Sequence, residues 1–150
     1  SNSYIATAGA IMHLKANPIF IDVLNNQNID PSKIENKITK KTKAILPVHL
    51  TGRMCDMDPI MEIAKRHNLV VIEDAAQALG ARIKNKSVGL LGDIGLFSLG
   101  VGKGLSIFAG GLIVAKDKKL FSHIQKTSAA MVSNNYLLEL KRAIELFFYF

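Results

Sequence analysis

The sequence predicts an α/β domain of three αβα layers, built around a mostly parallel sheet with one antiparallel strand. Three observations carry this. Apolar strand-like runs alternate with segments of helical periodicity along most of the 150 residues, the pattern of a parallel sheet covered by helices. The early strand candidates, residues 19–23, 43–48 and 69–72, are apolar on both faces, as strands covered on both sides are. The last two, residues 94–99 and 111–115, are joined by a glycine-rich loop with no helix in it, which makes that pair antiparallel.

In chain order, Ala6, Ala10, Ile11 and Leu14 recur at helical spacing, and Asn17-Pro18 ends that helix before the strand at 19–23. Asp30 followed by Pro31 reads as an N-cap with proline at the first helical position. Strand 43–48 runs into His49 and Leu50, a loop covers 51–56, and Asp58 is placed to cap a helix over 59–67. Strand 69–72 runs into Glu73 and Asp74, followed by a short helical stretch over 75–79. Residues 81–88 read as an exposed hairpin and 118–128 as a helix.

Composition narrows the function classes. Hydrophobic residues make up 49% of the chain without any low-complexity tract, so it is globular with a core of its own. No apolar run is long enough to span a bilayer, and residues 1–5 have neither the charged nor the apolar region of a signal peptide. The single cysteine, Cys55, has no partner for an internal disulfide, which fits a reducing cytosol. A cytoplasmic protein is expected. The net charge of +7 is spread along the chain, and its densest group, Lys37, Lys40, Lys41 and Lys43, lies where a helix gives way to a strand. The macrodipole favours cations there. No arginine-rich or aromatic-interleaved stripe accompanies them, so neither nucleic acid nor a membrane is an expected partner. The polar stub at the start, and an apolar-periodic stretch over 136–150 at the end, give the expectation of a piece of a larger protein.

Ligands of open α/β sheets sit at the carboxyl ends of strands. Three segments fall there: 49–52, 74–77 and 98–103. Asp74 is either an ordinary helix cap or an acid held at the mouth of the sheet to pair with a cation. Beside a pyridine nitrogen, such a carboxylate keeps the nitrogen protonated and makes the ring a better electron sink. Lys103 stands among Gly100, Gly102 and Gly104 directly after a strand. A phosphate-binding Walker loop would need glycine at 97 and serine or threonine at 104, where Phe97 and Gly104 stand; a dinucleotide fingerprint would need a small residue at Leu105. What remains is a solvated loop lysine or one with close backbone access, suited to attack a carbonyl. Ser98, at the end of the preceding strand, is an ordinary strand-end serine or a phosphate donor. His49 reads as a structural strand-end residue.

Taken together, these segments resemble the DegT/StrS-type nucleotide-sugar aminotransferases, fold type I pyridoxal-phosphate enzymes. The resemblance runs from about Ser3 to Asp117. It includes Ser3-Tyr-Ile-Ala-Thr-Ala-Gly-Ala-Ile, Asn17-Pro-Ile-Phe-Ile-Asp-Val, and Thr42-Lys-Ala-Ile-Leu-Pro-Val-His-Leu-Thr-Gly. Asp56-Met-Asp-Pro-Ile-Met-Glu-Ile-Ala follows. The most specific part is Val71-Ile-Glu-Asp-Ala-Ala-Gln-Ala, then Gly92-Asp-Ile-Gly-Leu-Phe-Ser-Leu and Lys103. Single segments are weak signals; their shared order and spacing are strong.

The resemblance implies pyridoxal 5'-phosphate as cofactor, with Lys103 as the Schiff-base lysine and proton shuttle. Asp74 would pair with the pyridine nitrogen, Gln77 contact the phenolic oxygen, Ser98 bind the phosphate, and Tyr4 lie against the ring, where an aromatic gives rigid contact area. No metal is implied. The substrates would be an amino-acid donor, typically glutamate, and a keto group on a nucleotide-linked sugar, and the full-length protein would be a homodimer. On this reading residues 1–150 are part of the cofactor-binding large domain, without the upstream phosphate-binding helix N-terminus and the C-terminal small domain. The isolated piece is then expected to be inactive.

Three departures stand out. The family's Gly-Glu-Gly-Gly after the lysine reads Phe108-Ala109-Gly110-Gly111, the loop around Lys103 is unusually rich in glycine, and Thr51 stands where a tyrosine is usual. Two other readings stay open. One is a dehydratase or lyase using the same cofactor on a deoxysugar, though there the lysine is typically a histidine. The other is a catalytically degenerate binding or interaction domain.

Overall fold

The computed structural model describes residues 2–83, 85–107 and 109–131. The chain divides into two compact units, Ser1–Lys116 and Asp117–Phe150. In the first, α1 covers Ile5–His13, β1 Ala44–Ile45, α2 Met57–His67, β2 Val70–Asp74, β3 Arg82–Ile83, β4 Lys86–Ser87, β5 Ile94–Ser98 and β6 Gly111–Ala115. The described part of the second is one helix, α3, Lys118–Met131. Asp117 starts α3, its side chain accepting from the Leu120 amide at 2.7 Å, the expected use of an aspartate at a helix start.

The main sheet has the order β1-β2-β5-β6. The first three strands are parallel, and β6 returns antiparallel to β5 with Ser98 opposite Gly111 and Ile94 opposite Ala115. The α/β class and the single antiparallel strand expected from the sequence are both present, and the 81–88 hairpin is β3 with β4. The β1 ladder is shorter than the apolar run at 43–48. Pro47 has no N–H to give, but its carbonyl accepts from the Asp74 amide at 2.9 Å, and pairing resumes where Val48 bridges Asp74.

The core forms because α2 is apolar on one side. Met57, Ile60, Ile63 and Ala64 are buried there, against Ile34, Ile45, Cys55 and Val71. Burying an aliphatic side chain of that size stabilises by about 1.5–3 kcal/mol. Asn68 ends the helix in the left-handed region (φ 52°), and the Leu69 amide reaches back to the Ala64 carbonyl at 2.9 Å, closing the helix in a Schellman arrangement. A satellite cluster of Ala75, Ala78 and Val88 lies under Phe97. A side chain at Gly89 would run into the Phe97 ring, so glycine is required there on space as well as on its φ of +79°.

Three local expectations are corrected. Residues 19–23 form no strand. Their end folds into a tight local loop, with the Leu24 amide on the Asn28 carbonyl and the Asp30 amide on the Asp22 carbonyl, while Ile19 and Phe20 are exposed. The apolar run satisfies a buried-strand pattern, but no described strand pairs with it. Residues 75–79 are consecutive turns, closed by Ala78 on Ala75 and Ala81 on Ala78. A single short turn gains little from helical hydrogen bonds, and the Asp74 side chain captures the Ala76 amide instead. Lastly, α2 begins at Met57 with Asp56 at the cap position, which puts Asp58 inside the first turn, where a carboxylate favours the dipole. Asp30 does cap, accepting from the Ser32 amide at 3.0 Å, ahead of a 3-10 turn, Pro31–Lys33.

Candidate active site

Strand alternation sorts the residues at the ends of β2 and β5. In the parallel register, Glu73 lies beside Gly95 and Asp74 beside Leu96. Ile72, Asp74, Leu96 and Ser98 therefore share one sheet face, and Val71, Glu73, Gly95 and Phe97 the other. α2 and the satellite cluster cover the second face. The first remains partly accessible.

At the carboxyl ends of these strands lies a cleft of about 350 Å³, lined by Thr51, Ala76, Gln77, Ser98 and Lys103 with their neighbours. Lys103 is half-buried. Its loop is closed at the base by Leu99, whose amide donates to the Gly110 carbonyl and whose carbonyl accepts from Ile107. The Lys103 amide bonds the Gly100 carbonyl at 3.3 Å, and Gly102 takes the positive φ of +80° that this turn needs. Ser98 Oγ accepts from the Gly100 amide at 3.3 Å, which leaves the hydroxyl proton to be given elsewhere.

Gln77 is oriented by the backbone. The Thr51 amide donates to Gln77 Oε1 at 2.9 Å. Only the carbonyl oxygen of an amide side chain can accept, so this bond fixes which end of the group is which and leaves Nε2 as a donor. Thr51 itself is held at φ 52°, and Gly52 follows at φ +76°, a turn that aims the Thr51 amide at Gln77.

Asp74 lies two residues before Ala76 of the cleft lining. Its Oδ1 accepts from the Ala76 amide at 3.1 Å and its Oδ2 from the Thr7 hydroxyl at 2.8 Å. Tyr4 stands at the N-cap of α1 with 72% of its surface exposed. Of the five residues expected at the site, Lys103, Gln77 and Ser98 line one cleft, Asp74 shares its sheet face with Ser98, and Tyr4 is outside the cleft lining. Phe108 and the stretch 136–150 lie outside the described residues.

The other face holds a buried network that sequence reasoning missed. Glu73 is fully buried. Its Oε2 accepts from His49 Nε2 at 3.0 Å and the Gly89 amide at 2.9 Å, and its Oε1 from the amides of Leu91, at 2.7 Å, and Gly92. His49 Nδ1 accepts from the Cys55 amide at 3.1 Å, so the ring proton resides on Nε2. Burial pushes the Glu73 carboxyl up, but the His49 bond and the three amides outweigh it and hold its pKa below the ordinary 4.5. His49 is structural, as the sequence reading had it. The signal for Glu73 was its parity with Val71: alternation puts both on the core face.

The DegT/DnrJ/EryC1/StrS aminotransferase family matches residues 1–139. The chain belongs to that family. GDP-perosamine synthase of Caulobacter vibrioides is 47% identical over 123 residues, covering 80% of this chain and 33% of the synthase. A dTDP-3-amino-3,6-dideoxy-alpha-D-galactopyranose transaminase of Aneurinibacillus thermoaerophilus is 54% identical over 99 residues, 65% of this chain and 27% of that one. Among solved structures, DesI with its TDP-sugar product superposes with a TM-score of 0.80 at 34% identity, over 82% of this chain and 32% of DesI. The chain thus spans about a third of the length of the curated family members it matches. Among the described residues, no helix is long and apolar enough to cross a membrane, and no cluster of metal-binding side chains occurs.

Proposed function

We propose that this chain is the cofactor-bearing part of a pyridoxal-phosphate aminotransferase. The enzyme moves an amino group from an amino acid, glutamate in the first instance, to a keto group of a nucleotide-linked sugar. The observation that carries this reading is the single cleft that gathers Lys103, Gln77 and Ser98 at the strand ends.

The donor set fits the cofactor group by group. Lys103 offers an amine for the aldehyde, Asp74 a carboxylate for the ring nitrogen, Gln77 Nε2 a donor for the phenolic oxygen and Ser98 a hydroxyl for the phosphate. When bound, pyridoxal phosphate supplies a carbonyl that condenses with amines and a ring that accepts an electron pair. Lys103 Nζ would take the proton from the α-carbon of the amino donor and pass it to the cofactor, and in the second half would move a proton from the cofactor to the former keto carbon of the sugar. Asp74 would hold a proton on the ring nitrogen by accepting its hydrogen bond. The Thr51–Gln77 bond orients the Nε2 donor before any ligand arrives, which lowers the ordering cost of binding.

The nucleotide-sugar substrate is supported by the likeness to GDP-perosamine synthase and to the dTDP-3-amino-3,6-dideoxy-alpha-D-galactopyranose transaminase. A further phosphate anchor, the small domain, a homodimeric assembly and a cytoplasmic location belong to the same proposal, and on it residues 1–150 alone do not turn over.

The test is amino transfer by the full-length protein. With pyridoxal phosphate, glutamate and a panel of 3-keto and 4-keto nucleotide sugars, 2-oxoglutarate should form in step with one amino sugar. The Lys103→Ala variant should lose at least about 10²–10⁴-fold of that rate. A wild type that converts none of the panel, or a variant that keeps the rate, overturns the proposal.

A further inference from the structure

None of the residues of α1 is buried. Apolar contact therefore does little to hold it in place. A polar chain reaches from it to the site instead. Ser3 Oγ donates to Thr7 Oγ1 at 2.8 Å, and Thr7 Oγ1 donates to Asp74 Oδ2 at 2.8 Å. The two hydroxyls are four residues apart, so both lie on one side of the helix start. Ser3 occupies an acceptor site on the Thr7 oxygen, which directs the Thr7 proton to the carboxylate. The Ala76 amide takes the other oxygen, Oδ1. Asp74 is thus held from both sides, with its carboxylate plane fixed before a ligand arrives.

We infer that Thr7 is a positioning residue for Asp74, setting the carboxylate's orientation toward a ring nitrogen and tying the Tyr4 end of α1 to the same point. The inference rests on the cofactor reading above. A hydrogen bond to a charged group is stronger than one between neutral groups, and the bond spans 67 residues of sequence, so it joins the helix to the strand end rather than tidying a local turn. Valine matches threonine in shape but has no hydroxyl. Thr7→Val therefore keeps the branched side chain and removes the donor, while Thr7→Ser keeps the donor.

The experiment uses the full-length protein and has two arms. Without cofactor, a double-mutant cycle of Thr7→Val and Asp74→Ala, which removes the acceptor, is read by urea unfolding. The two sites should couple by roughly tenfold in the unfolding constant. With pyridoxal phosphate, Thr7→Val should bind the cofactor roughly tenfold more weakly. At a fixed pH it should also show a smaller fraction of the long-wavelength absorbance of the ring-protonated form, and Thr7→Ser should restore both. A merely structural threonine would leave the spectrum of the bound fraction unchanged. A wild type that takes up no pyridoxal phosphate overturns the functional reading and this inference together. A wild type that takes it up, with additive unfolding in the cycle or a Thr7→Val spectrum like its own, overturns this inference alone.

Discussion

The two faces of the sheet at the end of β2 carry consecutive carboxylates that face opposite demands. Glu73 points into the covered face and is fully buried, with three backbone amides and His49 on its two oxygens. Asp74 points to the open face, with the Thr7 hydroxyl and the Ala76 amide on its oxygens, and retains acceptor capacity for a ligand. The first acid stabilises the fold by organising the 89–92 turn and the His49 loop. The second is held in place but not used up. Two identical functional groups on adjacent residues thus take different roles because strand alternation sends them to different environments.

That contrast predicts opposite phenotypes. Asp74→Asn should cost no more than roughly tenfold in the unfolding constant, the worth of its Thr7 bond, while lowering amino transfer by the full-length protein roughly 10- to 100-fold. Glu73→Leu should do the reverse in kind. It leaves three amides and the His49 Nε2 proton buried without an acceptor, and should lower stability by about 3–5 kcal/mol in urea unfolding. If both variants lost stability equally, the division between the faces would fail.

Acid sharpens the same comparison. Because the folded-state pKa of Glu73 lies below its ordinary 4.5, its contribution is fully present above that value and is lost as pH falls through the folded pKa. Glu73→Gln removes this titration. The stability gap between wild type and Glu73→Gln should therefore hold from neutral pH to about 4.5 and narrow below it. A gap that widened in acid would contradict the bond pattern. The smallest effect concerns Cys55, on the Glu73 side. Burial pushes its thiol up to about 12, and its Sγ donates to the Val48 carbonyl. Thiol reagents at pH 8 should label it only after denaturant opens the core, whereas rapid native labelling would show that this face is open.

What the sequence disclosed follows from which signals are local. The parallel strands, the returning β6 and the amphipathic α2 were legible because alternation and helical spacing are written in neighbouring residues. Lys103, Gln77 and Ser98 were legible as a group only through their order and spacing along the chain; glycines around a lysine do not themselves assemble a cleft. The run at 19–23 misled because apolarity on both faces records burial of some kind, not pairing with a particular strand. Residues 75–79 misled because alanine favours helix, while the Asp74 side chain offered the backbone a competing bond. The Thr7–Asp74 bond and the Glu73 network join segments 67 and 16 to 24 residues apart, and no local pattern encodes such partners. The parity of Glu73 with Val71 gave its face but not its donors.

The proposed function turns on Lys103 as the residue to which the cofactor attaches. The most direct measurement is to load the full-length protein with pyridoxal phosphate, record its visible spectrum, reduce with borohydride and map the modified peptide by mass. A long-wavelength band that borohydride bleaches and one phosphopyridoxyl group on Lys103 are expected. A colourless protein, or a label on any other lysine with Lys103 unmodified, would contradict the proposed function.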